Sequence, residues 1–124
     1  MRAFLAILAL FSVGAHHSDC RTVNLVLPHA LRPGEIATLL VTVGVIPRSG
    51  EIDITTSSGR ELGTISPYGI RAGHESGTYA VPLPAGAISG RRVSLLLSLR
   101  ANGKTSAPTV RQVKRVSVRI RGAD

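Results

Sequence analysis

Few side chains in these 124 residues carry chemistry, and they fall into three groups. His16, His17 and Cys20 crowd the N-terminal region. If the working chain begins at His16, its free α-amine and first imidazole chelate Cu(II) in a small ring, with His17 or the Cys20 thiolate completing the shell. If it begins at Ala15, His17 becomes the third residue, and the amine, two backbone nitrogens and the imidazole wrap Cu(II) or Ni(II) in a square plane. The second group is Arg115, Arg119 and Arg121, which alternate with apolar residues near the C-terminus. On a strand, residues two apart point the same way, so these arginines and Ser117 form one row at steps of about 7 Å. Lys114 and Arg111 stand nearby. Such a row suits repeated phosphate or carboxylate groups, each of which a guanidinium clamps through two bonds. The third group is the stretch from Ser66 to Glu75, which concentrates Tyr68, Arg71, His74 and Glu75 in one loop. His29, between Pro28 and Ala30, stands alone in a turn.

Each group has a bland reading beside the chemical one. Terminal histidines fray into solvent, loop histidines are commonly just exposed, a row of arginines keeps an edge strand from pairing with another chain, and Tyr68 staples its loop to the core. Catalysis has less support than binding. No nucleophile elbow, paired carboxylates or phosphate-cradling glycine loop occurs at a useful spacing, and adjacent His74 and Glu75 point apart on a strand. The expectation is a non-enzymatic protein.

The elements that position these groups follow from the apolar pattern. Arg2 precedes an unbroken apolar run from Ala3 to Ala15, too short to span a bilayer. The run ends in small residues before His16-His17-Ser18-Asp19. This predicts a signal peptide over residues 1–15, cut after Ala15, a secreted or periplasmic location, and no transmembrane segment in the mature chain. The remaining 109 residues make one domain, 16–124, and carry 14 Lys and Arg against 7 Asp and Glu. That excess favours anionic partners such as acidic polysaccharide, lipid headgroups or an acidic protein surface. Nucleic acid is disfavoured, because the chain has no Trp, two Tyr and two Phe, and single strands are held by aromatic stacking. A single cysteine excludes an intramolecular disulfide, so the fold rests on Val, Leu and Ile alone.

Those residues arrive in short alternating runs, the period of a half-buried strand. Val23, Leu25 and Leu27 open the series. Ile36 to Ile46 is the candidate central strand, with Leu39, Val41, Val43 and Val45 inward. Ile52 and Ile54, Leu62 to Ile65, then Tyr79, Val81 and Leu83 follow, and Pro82, which cannot donate to a ladder, means that this last run lies at a sheet edge or leaves its partner there. Val93, Leu95, Leu97 and Leu99 lead into Asn102-Gly103, the strongest hairpin signal in the chain. Val116, Val118 and Ile120 form the final inward set. About seven strands between Gly and Pro turns predict an all-β, antiparallel β-sandwich of immunoglobulin-like or fibronectin-like type, without the Cys and Trp signature of true immunoglobulin domains.

An N-terminal histidine on a β-sandwich is similar to the arrangement in periplasmic copper carriers. The resemblance is confined to the terminus, because no Asp and His pair stands near the C-terminal strands. Two functions therefore stand as expectations: a binding module for an envelope protein or an anionic glycan or lipid, using Arg71, Arg115, Arg119 and Arg121, and a periplasmic copper protein using His16, His17 and Cys20.

Overall fold

The computed structural model describes residues 19–67 and 77–122. The predicted signal peptide, His16, His17 and most of the Ser66 to Glu75 loop, including Tyr68, Arg71 and His74, lie outside the described residues. What is described is all-β: eight strands in two antiparallel sheets. They are β1 (Arg21–Val26), β2 (Ile36–Val43), β3 (Glu51–Thr56), β4 (Glu61–Ile65), β5 (Gly77–Leu83), β6 (Arg92–Ala101), β7 (Lys104–Ser106) and β8 (Val113–Arg121), with one turn of 3-10 helix at Ala85–Ala87. The larger sheet runs β1-β6-β3-β4, with β7 continuing the β1 edge alongside β6. The smaller sheet runs β5-β2-β8. Among the described residues no helix is long and apolar enough to cross a membrane.

Alternation builds these strands. In β2 every second residue, Ala37, Leu39, Val41 and Val43, is buried, and in β6 Val93, Leu95, Leu97 and Leu99 are. Ile52 and Ile54 of β3 and Val81 and Leu83 of β5 complete a single core with Leu27, Ile46, Ile65 and Val113. It is purely aliphatic among its fully buried members, and Tyr79, Val116, Val118 and Ile120 pack on its margin. Both sheets contribute to it, as two stacked sheets of a sandwich must. β2 is the central strand of its sheet, as its apolar run predicts, and β5 with Pro82 is an edge.

Turn chemistry closes the strands. Asn102 and Gly103 both take positive φ, 55° and 76°, the geometry of the primed two-residue hairpin. That hairpin creates the one strand the apolar pattern does not announce. Lys104–Ser106 is polar and wholly exposed, and it joins β6 through backbone pairing of Ala101 with Lys104 and Leu99 with Ser106. Hence there are eight strands where alternation predicts about seven.

The inward position expected for Val45 is incorrect. β2 ends at Val43, its register with β8 slips between Thr42 and Val43, and Val45 is 72% exposed while Ile46 is buried in its place. Gly44 sits at this slip, donating its N–H to the Gln112 carbonyl at 2.9 Å. A Cβ on Gly44 would stand 2.1 Å from the Arg111 carbonyl oxygen, so glycine is required by the close approach of two backbones.

Equilibrium denaturation checks this account. Leu39→Ala, at a fully buried site, is expected to cost about 2–5 kcal/mol, and Gly44→Ala about 1–3 kcal/mol through the backbone clash. Val45→Ala should stay within about 0.5 kcal/mol.

Candidate anion-binding face

The placement of the C-terminal arginines follows from β8 lying at the edge of the smaller sheet with Val113, Val116, Val118 and Ile120 turned toward the core. Their neighbours must face water. Arg115, Arg119 and Arg121 are exposed and stand opposite Thr42, Thr38 and Ile36 of β2, while Ser117 stands opposite Leu40. The register slip adds Lys114 as an extra exposed residue beside Arg115. From Arg115 to Arg121 the row is about 20 Å long, at 3.3–3.4 Å per residue.

The rest of that outer face is uncharged among the described strand residues. β2 contributes Ile36, Thr38, Leu40 and Thr42, and β5 contributes Thr78, Ala80 and Pro82. The Thr42 and Thr78 hydroxyls hydrogen-bond to each other at 3.0 Å. Among the described residues, none of Lys114, Arg115, Arg119 and Arg121 has a side-chain hydrogen bond or a carboxylate partner.

The outer face of the larger sheet is built in the opposite way. Arg100 of β6 is gripped by two carboxylates of β3: its Nη2 donates to Glu51 Oε1 at 2.7 Å and to Asp53 Oδ1 at 3.1 Å, and its Nε donates to Asp53 Oδ2. Hydroxyls complete the cluster, with Thr64 donating to Asp53 and Ser66 to Glu51, both at 2.8 Å. The Arg100 guanidinium, followed by the Thr64 hydroxyl, holds the Asp53 carboxyl below the usual carboxylate range against the opposing effect of partial burial. Arg100 is held above its ordinary value by the same contact. Arg100 is therefore paired on the surface, whereas the β8 cations have no such partner among the described residues.

The N-terminal group is only partly in view. Cys20 is a free, half-buried thiol whose sulfur accepts a hydrogen bond from Ser98 Oγ at 3.5 Å. His29 lies near Glu35, at 3.8 Å, and its Nδ1 is 2.9 Å from the Ala30 carbonyl. Among the described residues no three His, Cys, Asp or Glu side chains group as metal ligands.

Sequence reasoning passed over the residues of one concavity. At the end of the sandwich where β3 turns into β4, a pocket of about 430 Å³ is lined by Thr56, Ser57, Ser58 and Arg60, by Gly86, Ala87 and Ile88, and by Ser89, Arg92 and Ser94. Each of its two arginines follows a Ser-Gly turn, Arg60 directly after Ser58-Gly59 and Arg92 one residue later than Arg91 after Ser89-Gly90. Only the topology brings the two together. Compared with protein-family models, with curated proteins and with solved structures, the chain matches none.

The Arg100 cluster carries a pH prediction. Because the folded-state pKa of Asp53 is depressed, its contribution to stability is present above the unfolded carboxylate pKa and is lost as pH falls through the lower folded value. Arg100→Met is expected to be modestly less stable than the parent at neutral pH, since the cluster is partly exposed. That difference should close in acid, as paired urea titrations across the carboxylate range would report.

Proposed function

We propose that this chain is a non-enzymatic, secreted or periplasmic β-sandwich module that binds an anionic partner of the cell envelope through the outer face of β8. One observation carries the reading: Arg115, Arg119 and Arg121 project from one face of an edge strand, without a carboxylate partner among the described residues, while Arg100 on the other sheet is neutralised by Glu51 and Asp53. A guanidinium without an internal counterion keeps its capacity for bidentate contact with phosphate or carboxylate. A linear footprint of about 20 Å favours a ligand that runs along the strand, an acidic polysaccharide, over a compact one. An anionic lipid surface and an acidic envelope protein are the other occupants this face would suit.

The strand order lends support to the immunoglobulin-like reading. β2 pairs with β5, and β4, β3 and β6 run side by side, as B with E and C′, C and F do in such domains. The outermost strands exchange places: β1 lies beside β6 and β8 beside β2. The copper alternative on His16, His17 and Cys20 gains no comparable support, since two of its three ligands lie outside the described residues.

The test is a double charge reversal, Arg119→Glu with Arg121→Glu, assayed against an acidic polysaccharide and against phosphatidylglycerol vesicles at low and physiological salt. Binding is expected to fall on the order of 100-fold at low salt, since each basic residue near an anionic surface contributes about 1 kcal/mol. The circular dichroism spectrum and thermal midpoint should be retained, both positions being exposed. Loss on the polysaccharide alone identifies the glycan, and loss on vesicles alone identifies the lipid. Unchanged binding to both overturns the proposal.

A further inference from the structure

The concavity beside the β3–β4 turn is a second feature with the chemistry of anion capture, and it shares no residue with the β8 row. We infer that it is a binding site for a single tetrahedral oxyanion, a phosphate or sulfate group that is either free or the terminal monoester of a small ligand.

Its composition points one way. Two guanidinia, Arg60 and Arg92, line it together with the hydroxyl residues Thr56, Ser57, Ser58, Ser89 and Ser94, and among the described residues no carboxylate lines it. Neither guanidinium has a hydrogen-bond or ion-pair partner among the described residues. Their neighbour Arg91 does, donating from Nε to the Leu27 carbonyl at 3.0 Å. The hydroxyls of Ser57 and Ser89 likewise make no hydrogen bond among the described residues. The pocket thus offers two cations and at least two free O–H donors, the set that a multivalent oxyanion accepts from. Its volume, about 430 Å³, falls within the usual range for small-ligand pockets, about 300–1,000 Å³.

The donors sit on fixed turns. In the first, Gly59 N–H donates to the Thr56 carbonyl at 2.9 Å, Arg60 N–H donates to Thr56 Oγ1 at 3.0 Å, and Ser57 N–H donates to Ser94 of β6 at 3.0 Å. Thr56, 5% exposed, anchors this turn. In the second, Ser89 and Arg92 exchange both backbone hydrogen bonds, at 2.8 and 2.9 Å. These bonds fix where each side chain leaves its turn, while the exposed Arg60 and Arg92 side chains keep freedom that binding must restrict.

Gly86 supplies an independent observation. Its backbone lies outside the left-handed region, so conformation does not call for glycine. A Cβ there would instead stand 2.9 Å from Arg60 Nη1. The missing side chain lets the guanidinium lie against the 3-10 turn, at the wall of the pocket.

Titration of inorganic phosphate, with chloride at matched ionic strength as control, followed by amide chemical shifts, tests the site. Saturable shifts are expected at Ser57–Arg60 and Ser89–Arg92, weakened at least tenfold in Arg60→Ala and in Arg92→Ala. Gly86→Ala, at an exposed position, should weaken binding by displacing Arg60 while the fold stays intact. The β8 reversal, Arg119→Glu with Arg121→Glu, should leave phosphate binding unchanged, so failure of this site and failure of the β8 face are separately visible. Glucose 6-phosphate binding more tightly than inorganic phosphate assigns the anion to a monoester, and equal binding assigns it to the free ion. The inference is overturned by the absence of saturable shifts, by shifts spread equally over the β8 arginines, or by wild-type affinity in both arginine variants.

Discussion

Sixteen aliphatic side chains drawn from both sheets meet in one core. A strand turns successive side chains to opposite faces, so each buried residue dictates that its neighbours face water. With no tryptophan and no disulfide to share the task, stability rests on that strict alternation, and a one-residue slip in any central strand would expose a whole apolar set. The constraint reaches beyond stability. Once Val116, Val118 and Ile120 are committed to the core, Arg115, Ser117, Arg119 and Arg121 have a single face left to occupy. The chemistry of the surface is thus a by-product of the packing, and it is as rigid as the packing.

The same rule distributes charge unequally between the two outer faces. On the larger sheet, β3 places Glu51 and Asp53 outward beside Arg100 of β6, and their separation allows one guanidinium to satisfy both. On the smaller sheet, the outward positions of β2 and β5 hold Ile, Thr, Leu, Ala and Pro, so the β8 cations meet hydroxyls and methyl groups instead of carboxylates. The two faces therefore differ at these positions: Arg100 is paired with Glu51 and Asp53, and Arg115, Arg119 and Arg121 have no carboxylate partner among the described residues.

What was legible in the chain was what alternation encodes. The inward sets of β2, β3, β5 and β6, the edge position favoured by Pro82, the Asn102-Gly103 hairpin and the outward row on β8 are all period-two or turn-chemistry signals. What alternation does not encode was missed. β7 is polar and exists because a tight hairpin lays it against β6. The slip at Thr42 and Val43 depends on how two backbones meet at Gly44, a tertiary fact, and it reversed the expected burial of Val45. The pocket was invisible for the same reason. Arg60 and Arg92 lie more than thirty residues apart, each in an ordinary Ser-Gly turn, and only the pairing of β3 with β6 sets them on one rim.

Edge protection is the natural rival explanation for the β8 arginines, since charged residues keep a free strand from recruiting another chain. The four edges of this fold permit a comparison. β5 is protected by Pro82, which lacks a donor, and its outward positions Thr78, Ala80 and Pro82 carry no charge. β4 is short, at five residues. β1 is covered in part by Arg21, whose side chain crosses to the Val113 carbonyl at the start of β8. β4 and β5 carry no cation of their own, and on the remaining edge Arg21 of β1 satisfies a backbone acceptor while β7 exposes Lys104. Protection alone therefore asks for less than β8 supplies. Three guanidinia without a carboxylate partner among the described residues exceed what an edge requires, and that surplus is what the proposed anionic partner would explain.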